Sequence, residues 1–243
     1  MAFEEQWRER FGKYATHHQL DHLVSGWSIT GLRERVANFE KLLDGGLLPV
    51  GARVLELGCG AGTYVRLLGK RGYGVVGLDY SLPSLSRAMT ADPRRVGRYL
   101  AGGAYALPFA PASFQAVVCI GVLQVLDDPG RALDEMVRVL RPDGVLLVET
   151  LNAWNPVAVV RRLLAFVRQR PIRLHYGTAI GLERLMVTRG ARPLQRLPIL
   201  PPPRSFPVLG MSLSRRSVER VLRSVPGLRT IAPHAFWVIG ART

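Results

Sequence analysis

The 243-residue sequence has only two cysteines, Cys59 and Cys119. That excludes a disulfide-stapled scaffold and a cysteine-rich zinc site, and no His/Cys/carboxylate spacing suggests another metal centre. No apolar run approaches the roughly 18–20 residues that would cross a bilayer. The opening residues, MAFEEQWRER, are charged and lack the apolar stretch of a secretory leader, so the expected location is cytoplasmic. Lysine is scarce, with three among 33 basic residues. Acid is scarce in one half only. Residues 1–150 carry 17 basic and 16 acidic side chains, a net of +1; residues 151–243 carry 16 basic and two acidic, a net of +14. The skew suggests an anionic partner for the second half (nucleic acid, an acidic membrane surface or an anionic substrate) or the drift of an arginine-favouring proteome.

Hydrophobic residues make up 48% of the chain, enough for one large α/β domain with a sizeable core. Leu32, Val36, Phe39 and Leu43 follow helical spacing, and Gly45-Gly46 stops that helix. An aromatic and histidine-bearing segment precedes it, from Trp7 through Tyr14, His17, His18 and His22 to Trp27. Then short apolar runs alternate with helical stretches: 53–58, 74–79, 114–121 and 144–150. Continuous apolar runs fit strands covered on both faces, as in a parallel sheet between helices. Asp128 can cap a helix whose first position is Pro129 and whose apolar face is Leu133, Met136, Val137 and Leu140. In the second half, Asn155-Pro156 opens a helix with apolar and arginine faces, and Leu182, Leu185 and Met186 mark another. Residues 193–200 suit a strand that Pro198 confines to an edge. Residues 200–207 read as a stiff loop, Val218, Val221, Leu222 and Val225 as a short helix, and 234–241 as a last strand.

The most informative segment is VLELGCGAGTY (54–64). A buried strand ends in Glu56-Leu57-Gly58-Cys59-Gly60-Ala61-Gly62 and a helix follows. Alternate glycines let the backbone turn sharply and let a ligand approach where a Cβ would collide. A dinucleotide fingerprint would need a glycine three residues after Gly60; Thr63 stands there, so the loop reads as acid-x-G-x-G-x-G instead.

On these residues the sequence resembles the class I S-adenosylmethionine-dependent methyltransferases, in the small-molecule subgroup that includes the ubiquinone and menaquinone enzymes. The likeness is good over roughly 50–150 and weak elsewhere. It implies a doubly wound, Rossmann-like, mostly parallel sheet with helices on both faces. It divides the single domain into an N-terminal helical cap or lid (1–46), a cofactor-binding core (47–150) and a basic substrate-side half with an insertion (151–243). It also implies S-adenosylmethionine as cofactor. Glu56, Gly58, Cys59, Gly60 and Gly62 would lie along its methionine part and ribose. Asp79, 21 residues after Gly58 and next to Tyr80, would take the two ribose hydroxyls, since a carboxylate accepts two hydrogen bonds from a vicinal diol.

GGAYALPFAPASFQAVVCIGVLQVLDDP (102–129) resembles the family's next motifs, with departures. Gly103-Ala104-Tyr105 replaces the usual acid that holds adenine, and Gln115 replaces a usual aspartate. Backbone groups of Ala104 and Tyr105 would hold the base instead, with the Tyr105 ring packed on it. Ile120 to Gln124 follow the fourth strand, whose end faces the ligand crevice. The chain lacks an acid or Asn followed by Pro-Pro-aromatic after that strand, which argues against methylation of nucleic-acid bases. Cys59 and Cys119 read as buried small hydrophobes.

Methyl transfer to oxygen or carbon of a small hydrophobic or anionic acceptor is the resulting expectation, with residues 7–30 and 151–213 shaping the acceptor pocket. Tyr14 and His18 are the candidate catalytic groups on the lid. The helix near 156–168 either lies on an acidic membrane or packs its apolar side on the sheet. RNA or protein methylation through the basic half is the alternative, though aromatics are sparse there for nucleic acid. A non-catalytic cofactor-binding module of the same fold is the third. Neither an oligomeric state nor a specific acceptor follows from the residues.

Overall fold

A computed structural model of the chain describes residues 3–18, 20–169, 174–200 and 227–243. The expected stiff loop at 201–207 and the helix around 218–225 lie outside the described residues. Three helices come first: α1 (Phe3–His17), α2 (Asp21–Val24) and α3 (Ile29–Asp44). The alternating part follows as β1 (Arg53–Leu57), α4 (Thr63–Lys70), β2 (Gly74–Asp79), α5 (Leu82–Thr90), β3 (Gly97–Ala101), β4 (Phe114–Cys119), α6 (Pro129–Val139) and β5 (Leu140–Leu151). The second half supplies α7 (Pro156–Val167), α8 (Ala179–Val187), β6 (Ala191–Ile199), α9 (Leu228–Ile231) and β7 (Ala235–Arg242).

The strands form one seven-stranded sheet in the order β3-β2-β1-β4-β5-β7-β6. β3 through β5 are parallel, and β7 runs antiparallel to both β5 and β6. The chain reverses its winding between β1 and β4, and a crevice opens there at the strands' C-terminal ends. Successive side chains alternate faces. Leu55, Leu57, Leu78 and Val117 pack with Leu133 and Met136 of α6 on one face. Val54, Val75, Ala116 and Val118 pack with Phe39 of α3 and Leu68 of α4 on the other. Each fully buried Leu or Phe contributes roughly 1.5–3 kcal/mol.

Local chemistry sets the boundaries. Asp128 accepts the Arg131 N–H at 3.0 Å and caps α6, with Pro129 at the first position. Asn155 caps α7 through Val157 and Ala158. Pro198 sits in β6, the sheet's edge, where a missing N–H costs no ladder bond. β5 begins earlier than its apolar run: Leu140 pairs with Phe114, residues 141–144 bulge out with Asp143 at φ 59°, and Val145 resumes opposite Ala116. β3, GRYLA, carries no apolar run because it is the opposite edge and half exposed.

An ionic cluster sits inside the core beside β5 and β7. Arg35 of α3 donates to both carboxylate oxygens of Glu149, at 2.8 and 3.0 Å. The Trp237 indole N–H donates to the same carboxylate at 2.7 Å. Arg35 also lies 2.9 Å from His234 Nε2, and its guanidinium stacks 4.6 Å from the Trp27 ring. Burial works to push the Glu149 carboxyl up, but Arg35 and the indole outweigh it, and the group ends below the usual glutamate range. Burial and the Arg35 charge lower His234 to about 4. An unfolded histidine titrates near 6.5. The unfolded chain therefore binds the extra proton between those values. The stability contributed by neutral His234 is fully present above about pH 6.5 and is lost as pH falls toward about 4. Thermal melts should show wild-type stability falling across that window and a shallower fall for His234→Gln; superimposable profiles would contradict the assignment.

Candidate active site

The loop between β1 and α4 wraps over the end of β2. Gly58 and Cys59 both donate their N–H to the Leu78 carbonyl, at 2.7 and 3.1 Å. The Gly60 N–H donates to Asp79 Oδ2 and the Ser81 N–H to Oδ1, both at 2.8 Å. Gly58, Gly60 and Gly62 have φ of 73°, 51° and 76°, the left-handed region. Two of them do different work. A Cβ on Gly58 would lie 2.2 Å from Val122 Cγ2, so this glycine lets two loops meet. A Cβ on Gly60 would meet only Ser25 Oγ, at 3.7 Å, on the side of an open pocket. Gly58→Ala should therefore lower the melting temperature clearly. Gly60→Ala should cost only the roughly 1–2 kcal/mol of a left-handed alanine while intruding on whatever occupies the pocket. Equal melting temperatures for the two variants would contradict this division.

The pocket encloses about 960 Å³, counted out to solvent at its mouth. Its floor is the strand ends: Glu56, Gly58, Cys59, Gly60, Asp79 and Tyr80, continued by Ala104 and Ile120. Its roof is the N-terminal segment, with Trp7 and Phe11 of α1 and Val24, Ser25 and Trp27 after it. Four ties hold the roof down. Glu4 accepts from the Tyr105 hydroxyl at 2.6 Å and the Asp127 N–H at 3.3 Å. The Tyr80 hydroxyl donates to the Trp7 carbonyl at 3.3 Å. Arg87 donates to the Ala15 carbonyl at 3.0 Å, at the C-terminus of α1 where a cation is favoured. Asp21 accepts from the Thr63 hydroxyl at 2.5 Å and pairs with Arg66.

The pocket is acidic although the chain is strongly basic: among the described residues, Glu4, Glu56 and Asp79 line it against a single arginine, Arg8, and no lysine. Burial pushes the Asp79 carboxyl up, offset in part by the N–H groups of Ser81, Gly60 and Tyr80. Burial, with a smaller push from the Asp79 charge, holds Glu56 well above the usual range. Glu56 Oε2 is buried with no hydrogen-bond partner. A buried carboxylate oxygen without a donor is costly unless a ligand supplies one.

The other predicted positions do not reach this wall. Gly62 packs its back against Ala88 and Tyr99, where a Cβ would be 3.0 Å from each. Tyr105 turns its hydroxyl to Glu4 and accepts the Asp128 N–H at 3.0 Å, so its ring is a strut for the roof. Gln124 is buried; its backbone carbonyl accepts the His175 N–H at 2.9 Å, and its side-chain Oε1 is buried without a partner. Tyr14 receives Arg10 on its hydroxyl and stands 5.9 Å from the His18 ring; neither lines the pocket. Gln115 accepts the Arg53 N–H at 2.9 Å, a strand-to-strand tie. Among the described residues, none beyond 126 lines the pocket, so the described part of the second half stands outside it. From the roof, Trp7 and Phe11 of the expected 7–30 segment line the pocket, joined by Glu4, which the sequence reading did not name. Their spacing of three and four places them along one helix face.

Sheet order, glycine loop and acid at the end of β2 are those of a class I methyltransferase fold, with a crevice at the strand ends. Residues 55–148 match the family model described as a methyltransferase domain. The chain is 29% identical over 158 residues to the ubiquinone biosynthesis O-methyltransferase of Psychrobacter cryohalolentis, covering 62% of this chain and 60% of that one. It is 36% identical over 146 residues to the 2-phytyl-1,4-naphtoquinone methyltransferase of Thermosynechococcus vestitus, covering 57% and 64%. The chain thus spans less than two thirds of these relatives' lengths. A Haloferax volcanii methyltransferase solved in complex with the Trm112 activator superposes with a TM-score of 0.63 over 96% of this chain and 97% of that one, at 18% identity. Residues 55–148 thus match a methyltransferase-domain family, and the chain as a whole has the fold of solved methyltransferases.

Proposed function

We propose that the chain transfers a methyl group from S-adenosylmethionine to oxygen or carbon of a small, flat, hydrophobic acceptor. One observation carries this reading: a single pocket has an acidic, glycine-lined floor on the strand ends and an aromatic roof of Trp7, Phe11 and Trp27. The floor suits the cofactor. The unpartnered Glu56 Oε2 fits a cationic donor, and Asp79 fits the ribose diol once it shares its oxygens with the Gly60 and Ser81 N–H groups. Gly60 leaves room for a ligand against the loop. When bound, the cofactor supplies a sulfonium-activated methyl group. The chain's own task is then to align an acceptor and exclude water.

The roof suits that task. Trp27 is held from behind by the Arg35 guanidinium and lies against Gly121, where a Cβ would be 2.5 Å from its ring. It forms a fixed apolar wall. No histidine lines the pocket among the described residues; the ionisable groups there include Glu4, Glu56 and Tyr80. Glu4 is held below the usual range, despite its burial, by the Tyr105 hydroxyl, Arg8 and the Asp127 N–H, which makes it a tie more than a base. The N-terminal segment (1–46) acts as the lid of this site, on a cytoplasmic protein that works at an acidic membrane surface.

The test is an incubation with methyl-labelled S-adenosylmethionine and a panel of hydroquinones, catechols and prenylated phenols. Label entering the organic phase, dependent on the chain, is the expected result. Cofactor binding with no product from any small acceptor would instead indicate a binding module.

A further inference from the structure

The helix α7 is built inside out. Its small residues, Ala158 and Ala165, face the protein, and only Ala158 is buried. Its large apolar residues face water: Phe166 is 81% exposed, Val167 69% and Leu163 60%, with Val157, Val160 and Leu164 beside them. At about 3.6 residues per turn these occupy roughly half the circumference. Arg161 and Arg168 fall at one margin of that arc and Arg162 at the other, all exposed. Trp154, 60% exposed, stands at the root.

That root is rigid. Asn152 donates to the carbonyls of Thr230 and Pro233 at 2.7 and 2.8 Å, and Asn155 to that of Ala232 at 3.0 Å. The chain leaves from the C-terminal end of β5 and returns at Gly177, which bonds Leu151 and Ala153. Next to it, His175 bonds Gln124 and lies 4.4 Å ring to ring from Phe3, in the first turn of the roof helix. The helix therefore projects from the same sheet edge as the pocket.

We propose that α7 docks the protein on an anionic lipid membrane. The apolar arc enters the headgroup boundary, the three arginines at its margins pair with lipid phosphates, and Trp154 sits at the interface. The net charge of +14 over 151–243 favours an anionic surface over a second copy of the same cationic half. The inference rests on the reading of a hydrophobic acceptor, for it names the place from which a lipid-dissolved acceptor reaches the pocket edge.

The experiment is flotation of the full chain with vesicles of pure phosphatidylcholine or with added phosphatidylglycerol, without cofactor or turnover. The chain should float with the anionic vesicles and much less with the neutral ones. Leu163→Glu/Phe166→Glu should weaken binding on the order of tenfold or more, with melting temperature and cofactor affinity unchanged. Failure of the wild type to float, or undiminished flotation of the variant, would overturn the proposal. A variant that melts several degrees lower would show the face covered by the chain's own residues. A wild-type dimer that the variant splits would show a second copy there, and salt-sensitive RNA binding without flotation a polynucleotide; each would overturn it. A wild type that fails to float yet transfers methyl groups rejects the docking alone; a wild type that floats without methyl transfer rejects the proposed activity alone.

Discussion

Asp79→Ala is expected to weaken binding of S-adenosylmethionine roughly 10- to 150-fold, the loss that follows from removing charge-assisted hydrogen bonds of about 1.5–3 kcal/mol. The residue works twice in the proposed site. It presents a carboxylate at the floor of the pocket, and it holds the Gly60 and Ser81 N–H groups at 2.8 Å, so the loop keeps its bend. Asp79→Asn would retain one acceptor oxygen without the charge and should fall between the two. Titration calorimetry measures the affinity, and a thermal melt of each variant checks that the fold persists. An alanine variant that binds the cofactor as tightly as the wild type would remove Asp79 from the site.

The second large effect lies in the core. Glu149→Gln should lower stability by about 3–5 kcal/mol, because Arg35 would remain as a buried cation without its counter-charge. For a chain of this size that corresponds to a fall of roughly 6–20 °C in melting temperature. Replacing both partners with apolar residues, Arg35→Met with Glu149→Leu, should recover much of the loss, since the pair's desolvation then disappears with its attraction. Recovery would be incomplete, as the Trp237 indole would lose its acceptor. The recovered double variant should still bind acceptor less well, because Trp27 would lose the guanidinium that backs its ring. A single variant melting within a degree or two of the wild type would contradict the account.

Much of this architecture was legible because it is made of short-range signals. The runs at 53–58, 74–79 and 114–121 are apolar on both sides because helices cover both faces, and each became a parallel strand. Asp128-Pro129 and Asn155-Pro156 announced helix starts through side chains that reach N–H groups two or three residues away. The turn after β1 was legible for the same reason: Gly58, Gly60 and Gly62 all take positive φ, and Asp79 at the end of β2 accepts the Gly60 N–H. What stayed hidden depends on partners far along the chain. β3 carries no burial signature because one edge of it is open to water. Tyr105 looked like a wall for adenine, yet its hydroxyl bonds Glu4, 101 residues earlier. Tyr14 and His18 lie in the right segment but away from the pocket, where Trp7 and Phe11 sit instead. Whether the apolar stripe of α7 would pack or protrude could not be read from its period, which is the same in both cases. The fixed root at Asn152 and Asn155 decided it.

The central claim is that the crevice between the glycine loop and the roof helix holds the cofactor, and a crystal structure with S-adenosylhomocysteine tests it most directly. The account predicts the ribose hydroxyls against Asp79, the amino acid part near Glu56 and the sulfur turned toward the Trp27 side of the pocket. Density for the ligand elsewhere on the molecule, or a crevice that stays filled by α1 at saturating ligand, would contradict it.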